Sequence, residues 1–112
     1  GDGSMMRNMG GMMYKVQVMK ARMVELQTEM EHASFSASVG GDAVAVTVNG
    51  KGFVKAVSID PDAVNADEID VLEDMIQLAT NNAKETAEAE MARRMKDITG
   101  GLPLPPGLSL PF

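Results

Sequence analysis

The chain has 112 residues, a length typical of a single domain or of one chain in a small oligomer. It has no Cys, one His and four aromatic residues, which excludes disulfides and thiolate metal sites and disfavours His-based catalysis and a base-stacking platform. Ten basic and 16 acidic residues give a net charge of −6, which excludes attraction of nucleic acid by the whole surface but allows a local basic patch.

Residues 5–32 are predicted to form one long helix. Apolar residues recur in alternating steps of three and four, which is the a/d pattern of a helix that packs on another helix. At ~1.5 Å per residue this helix would be ~42 Å long, so we expect it to project. Gly10 and Gly11 weaken its first turns and place the predicted start near Met12. The seam consists of Met9, Met12, Val16, Met19, Met23, Leu26 and Met30.

Residues 34–60 change to a period of two, which predicts three strands. A short polar strand over 34–38 is followed by a turn at Gly40-Gly41. Residues 43–48 predict a half-buried strand whose valines share one face. Asn49-Gly50 then gives a strong hairpin signal.

The returning strand is predicted over residues 53–59. Its alternation places Phe53, Val57 and Ile59 on one face, with Lys55 interrupting the pattern. Asp60-Pro61 is expected to end the strand, because proline cannot donate a ladder hydrogen bond.

Residues 66–98 are predicted to form a second long helix. Asn65 is the expected N-cap, with Glu68 completing a capping box, and Gly100-Gly101 stops the helix. The apolar stripe ends in an alanine series that allows a neighbouring backbone to approach closely. The stripe consists of Ile69, Leu72, Ile76, Ala79, Ala83 and Ala87.

The predicted organisation is a single α-β-β-β-α domain over residues 5–101. Residues 1–4 are expected to be a cloning remnant. Residues 102–112 are rich in Leu and Pro, and their apolar content predicts a tail docked on the domain. Three strands and two projecting helices leave much apolar surface uncovered, so a second copy related by two-fold symmetry is the simplest expected partner.

No stretch is long and apolar enough to span a membrane, and the broken apolar start does not read as a signal peptide. An intracellular protein is therefore expected. No catalytic constellation, cofactor site or metal site is predicted. His32 is expected to be an exposed helix-end residue, Gly50-Lys51-Gly52 a turn rather than a phosphate loop, and Asp60 and Asp62 turn residues rather than cation ligands.

Charge is distributed unevenly along the chain. Residues 7–24 carry four cations and no acid, residues 60–90 carry a net −9, and residues 91–97 carry +2. If the two helices pack antiparallel, the basic stretches come together at one end. Clustered Lys and Arg can bind DNA phosphates, although the same cations can simply aid solubility. The candidate DNA-binding residues are Arg7, Lys15, Lys20, Arg22, Arg93, Arg94 and Lys96.

Three blocks of sequence resemble the YbaB/EbfC family of bacterial nucleoid-associated proteins. They are VTVNGKG at residues 46–52, VSIDP at 57–61, and TGGLPLPPG at 99–107 with LPF at 110–112. The Met-rich opening and the order of elements agree as well. The resemblance covers essentially the whole chain after residue 4.

The resemblance implies an α+β fold assembled as an intertwined homodimer, with long helices that project like tweezers. It implies binding of double-stranded DNA, organisation of the chromosome, a cytoplasmic and nucleoid-associated location, and no enzymatic activity or cofactor. Because no base-reading helix is identifiable, we expect low sequence specificity. An alternative is a protein–protein adaptor that grips a partner helix with its Met-rich seam.

Overall fold

The structure, a computed structural model, describes residues 2–100, with side chains described from Gly11 onward. The predicted C-terminal tail lies outside the described residues. The element order is helix, three-stranded antiparallel sheet, helix. The helices are α1 (Asp2–His32) and α2 (Ile69–Thr99), and the strands are β1 (Phe35–Val39), β2 (Val44–Val48) and β3 (Val54–Ile59). The predicted α+β fold of the chain, a three-stranded antiparallel sheet between two long helices, is confirmed.

The first helix is longer than predicted. It begins at Asp2 and continues through Gly10-Gly11, so the predicted start near Met12 was wrong. Glycine costs about 1 kcal/mol relative to alanine in a helix interior, but it keeps its backbone donor and acceptor, so two glycines weaken a helix without ending it.

The sheet has the order β1-β2-β3, with both outer strands unpaired on one edge. The β2–β3 hairpin was predicted, but its turn is longer than the two-residue type that Asn-Gly signals. The Asn49 N–H donates to the Phe53 carbonyl at 2.8 Å, and the Asn49 side chain accepts from Lys51 N–H at 2.9 Å and Phe53 N–H at 3.0 Å. Gly52, not Asn49 or Gly50, adopts a positive φ.

A β-bulge in β3 changes which side chains face the core. Val54 pairs with Val48 and Ala56 pairs with Thr47, so Lys55 is the extra residue. The bulge shifts the alternation by one, and Val54 rather than Phe53 shares a face with Val57 and Ile59. The predicted placement of Phe53 on this face was therefore wrong. In the sequence, the bulge corresponds to Lys55, the residue that interrupts the apolar alternation.

The second helix is entered through two short 3₁₀ turns, Pro61–Ala63 and Ala66–Glu68. Asn65 caps the second turn by accepting from the Asp67 N–H at 3.0 Å. Glu68 precedes α2 without a side-chain capping bond, so the predicted capping box does not form. Gly100 ends α2 in the left-handed conformation (φ 64°), as its position after the last apolar residue predicted.

The main core lies between the sheet and the alanine stripe of α2. Val44, Val46 and Val48 are fully buried against Ala79, Ala83 and Ala87. The small alanine side chains allow the helix to approach the sheet closely. Because α2 packs mainly on β1 and β2, the side chains of β3 stay exposed outside this core.

A second core joins α1 to the C-terminal half of α2. Met23, Leu26 and Met30 pack against Met95, with Met91 and Ile98 at the margin. At the end of α1, the Gly50 N–H donates to the Met30 carbonyl at 2.6 Å, which anchors the helix to the β2–β3 turn. The C-terminal half of the predicted Met seam is thus buried within one chain. Among the described residues, no helix is long and apolar enough to cross a membrane.

Candidate nucleic-acid interface

The two helices pack antiparallel over only part of their lengths. Glu29 of α1 lies beside Arg94 of α2, whereas Arg22 lies beside Asp97 and Ile98 at the end of α2. The remainder of α1 continues past that end. We call residues 2–22 the prong. Its apolar side chains from Met12 to Val18 are all exposed, Met12 to 69% and Tyr14 to 68%.

The structure distributes the candidate cations over two regions. Arg7, Lys15, Lys20 and Arg22 lie on the prong, although the side chain of Arg7 is not among those described. Arg93, Arg94 and Lys96 lie in the last two turns of α2. The antiparallel packing brings Arg22 to the same shallow cleft as Arg94. At ~1.5 Å per residue, Lys15 lies a further ~10 Å along the prong.

Arg93 and Arg94 are engaged by carboxylates. Arg93 contacts Glu90 through Nε at 3.2 Å and through Nη2, and it reaches Asp97 at 3.2 Å. Arg94 donates from Nε to Glu90 at 2.9 Å, and its Nη1 lies 3.5 Å from Glu29. Two cations thus meet three carboxylates. Nearby carboxylates thus offset the charge of both arginines, which makes these side chains less suited to binding DNA phosphates.

Glu90 is the centre of this network. Hydrogen bonds from Arg93 and, to a smaller extent, from Arg94 lower the pKa of the Glu90 carboxyl from 4.5 to about 2. The hydrogen bond to Glu90 also raises the pKa of Arg93. Glu90 is therefore ionised throughout the physiological range and holds both guanidinium groups against α2.

The prong cations have a different environment. Lys15, Lys20 and Arg22 are exposed, and among the described residues none of them forms an ion pair or a side-chain hydrogen bond; the same holds for Lys96. The prong carries no acidic residue between Arg7 and Arg22. Lys15 and Lys20 therefore have no acidic neighbour on their stretch of the helix, whereas Arg22 lines a cleft that also holds Glu25, Glu29 and Asp97. The two lysines are the prong charges most open to an anionic partner.

The prong cations do not share one helix face. Lys15 and Arg22 are two helical turns apart and lie on the same side of α1. Lys20 lies roughly 150° around the helix from both, given 3.6 residues per turn. Charges spread in this way suit contact with a phosphate backbone rather than with a single small anion.

Other residues singled out in the sequence have structural roles. Lys51 pairs with Glu31 at 2.7 Å and lowers the pKa of that carboxyl. Asp60 accepts from the Asp62 N–H at 3.0 Å and so caps a 3₁₀ turn, as its turn assignment predicted. His32 is exposed at the end of α1. Within the part of the chain that the structure describes, no group of three His, Cys, Asp or Glu side chains could hold a metal ion.

The sequence reasoning missed the carboxylates that engage the arginines. Glu90 precedes Arg93 by three residues and Arg94 by four, and Arg93 precedes Asp97 by four. This spacing places the side chains side by side on a helix, so it was a usable signal for the intrahelical pairs. The contact with Glu29 depends on how α1 and α2 dock and has no local signature.

Comparison with known proteins assigns the family. The YbaB/EbfC DNA-binding family model matches residues 5–102. A nucleoid-associated protein of Brucella ovis is 46% identical over 107 residues, covering 96% of this chain and all of the relative. A nucleoid-associated protein of Agrobacterium fabrum is 44% identical with the same coverage. An uncharacterised Helicobacter pylori protein has the same fold in its crystal structure (TM-score 0.68, 20% identity), covering 82% of this chain and 94% of that one. This chain therefore belongs to the YbaB/EbfC DNA-binding family.

Proposed function

We propose that this protein binds double-stranded DNA as a homodimer, through the exposed cations of its two prongs. The observation that carries the proposal is the prong itself, a projecting helix segment on which Lys15, Lys20 and Arg22 form no ion pair within the described residues and on which no acid lies between Arg7 and Arg22. Such charges bind phosphates by releasing counterions, and this mechanism does not require a positive net charge on the whole protein.

The homodimer is supported by apolar surface that one chain leaves uncovered. Val54, Val57 and Ile59 face the same side of the sheet as the core valines, yet 36–49% of their surface is exposed because α2 packs mainly on β1 and β2. The outer edge of β3 is also unpaired. A second copy would cover this face and would double the number of prongs.

Low sequence specificity follows from the type of side chain available. Lys15, Lys20 and Arg22 are spread around a helix and suit phosphates, and between Gly11 and Arg22, where the side chains are described, Gln17 is the only amide side chain that could read a base edge. The relatives are named nucleoid-associated proteins, which supports a role in chromosome organisation and a location at the nucleoid of a bacterial cytoplasm.

The test replaces the prong cations and compares two variants of equal net charge. Changing Lys15, Lys20 and Arg22 to Ala removes three prong charges, whereas changing Lys51, Lys55 and Lys84 to Ala removes three charges from the sheet and α2. We expect the first variant to lose at least ~tenfold in affinity for duplex DNA, and its salt slope to fall by as much as ~5 per dimer if all six cations contact phosphates. Equal losses in the two variants would contradict the proposal.

One observation favours a second candidate function. Met12 and Val16 of the Met seam stay exposed, at 69% and 49%, whereas the C-terminal half of the seam is buried on α2. An open Met-lined helix face can grip a partner helix. Retention of one specific protein on the purified chain, unaffected by nuclease and abolished by Met12→Lys and Val16→Lys, would support this adaptor function.

A further inference from the structure

A groove runs between the β2–β3 turn and the C-terminal half of α2. It is open to solvent and has a volume of about 910 Å³. Its floor is formed by Ala87 and Met95, which are almost completely buried, and Phe53 stands at its rim with 69% of its surface exposed. Met91 of α2 also lines the groove. The groove thus has an apolar floor and an aromatic edge, and the exposed side chains of Lys51, Lys84 and Glu88 also line it. It lies on the opposite side of α2 from Arg93.

The chain itself contains a segment whose chemistry matches this groove. Residues 102–112 (LPLPPGLSLPF) have four Leu, four Pro and one Phe, and none of their side chains is charged. Proline-rich segments preorganise the polyproline II conformation and dock on grooves with aromatic walls at a low entropic cost. The leucines between the prolines supply apolar side chains that can pack on the floor of the groove.

Direction and length also agree. Gly100 ends α2 in the left-handed conformation, which turns the chain out of the helix direction. From Gly100 back to Lys84, at the far end of the groove, α2 spans ~24 Å at 1.5 Å per residue. Twelve residues in the polyproline II conformation extend ~37 Å, so residues 101–112 are long enough to cover the groove.

We propose that residues 102–112 fold back antiparallel to α2 and occupy the groove of their own chain. The segment then bridges the β2–β3 turn and α2 across the groove. It covers Phe53 and Met91 and protects the floor formed by Ala87 and Met95. Because α1 rests on both Met95 and Gly50, the docked segment also supports the base of the prong.

The experiment uses a spin label, which the absence of native cysteine makes site-specific. Ser109→Cys, labelled with a nitroxide, is compared with its reduced, diamagnetic form in the isotope-labelled full chain. We expect broadening of the amide signals of Ala87 and Met91, and none in the N-terminal half of the prong. Phe53→Ser in the same chain should diminish the broadening, and its exposed position leaves the fold intact. Broadening confined to other surfaces, or none, would overturn the proposal.

A mixed sample identifies which chain supplies the segment. Isotope-labelled chain without a spin label is combined with unlabelled chain that carries the nitroxide. We expect no broadening of the Ala87 and Met91 signals in this mixture. Broadening at the groove in the mixture would show that the segment of a second copy occupies it, which contradicts the proposal. Because this readout requires no DNA, it can fail while the proposed DNA binding stands.

Discussion

The Glu90 network makes a sharp prediction about DNA binding. Two guanidinium groups, those of Arg93 and Arg94, converge on one carboxylate at the end of α2, close to the base of the prong. The change Glu90→Gln keeps the size of the side chain but removes its charge. Both arginines then lose their shared anion, while Asp97 and Glu29 remain within 3.2 Å and 3.5 Å of one guanidinium group each. We therefore expect Glu90→Gln to strengthen binding to duplex DNA.

The size of the effect follows from counterion release. Each cation that newly reaches a phosphate steepens the slope of log K against log salt by ~0.9, so two arginines add at most ~1.8 per chain. The remaining carboxylates reduce this gain. The assay is a fluorescence titration of a random-sequence duplex at four salt concentrations, for the wild type and Glu90→Gln.

The control is the same change in a chain that lacks both arginines. When Arg93 and Arg94 are replaced by Ala, Glu90→Gln can change the salt slope only because the protein loses one negative charge. The same loss of charge occurs when the arginines are present, so the difference between the two experiments reports the released arginines. The reasoning is refuted if the slope of Glu90→Gln equals that of the wild type. It is also refuted if replacing Arg93 and Arg94 in the wild type costs as much affinity as replacing the prong cations, because paired arginines should contribute little.

Three further predictions concern stability and assembly. Gly50→Ala should destabilise the fold by about 1–3 kcal/mol in urea unfolding, because its new Cβ would lie 2.5 Å from Met30 Cβ, whereas Gly11→Ala meets nothing and should be neutral or stabilising. The Glu90 ion pairs have a carboxyl pKa that folding lowers from 4.5 to about 2, so their contribution to stability is complete above pH 4.5 and lost as the pH falls towards 2; the stability difference between wild type and Glu90→Gln should shrink over that range, and a constant difference would contradict the assigned pairing. Val57→Lys with Ile59→Lys should yield a folded monomer by light scattering, because both side chains are exposed in one chain and would be buried between two, whereas Ser36→Lys on the opposite face of the sheet should leave the mass unchanged.

The regular parts of the fold were accessible from sequence because they depend on local patterns. Alternating valines defined β2, the alanine stripe defined the buried face of α2, and steps of three and four defined α1. The element order followed from these patterns. The predicted start of α1 was less accurate, because Gly10 and Gly11 lower the stability of the helix too little to end it.

The features that sequence reasoning missed depend on tertiary structure. The bulge at Lys55 is visible only when β3 is paired with Thr47 and Val48 of β2. It moves the side chains that precede it, Phe53 and Val54, to the opposite face of the sheet from the one that strict alternation predicts. The closeness of Gly50 to Met30 depends on how α1 meets the hairpin turn. The difference between paired and unpaired cations arises in the same way, because residue type alone does not reveal a neighbouring carboxylate. Among the seven candidate cations, Arg93 and Arg94 are engaged by carboxylates, whereas Lys15, Lys20, Arg22 and Lys96 form no ion pair within the described residues. Which of them contact DNA stays a prediction.

The most direct test of the account is a titration of the purified wild-type chain against a random-sequence duplex at two salt concentrations, with its mass measured by light scattering. We expect a dimer that binds with micromolar or tighter affinity at low salt and loses affinity steeply as salt increases. A well-folded dimer that does not bind duplex DNA at low salt would contradict the proposed role of the prongs and would favour a protein partner for the exposed Met seam.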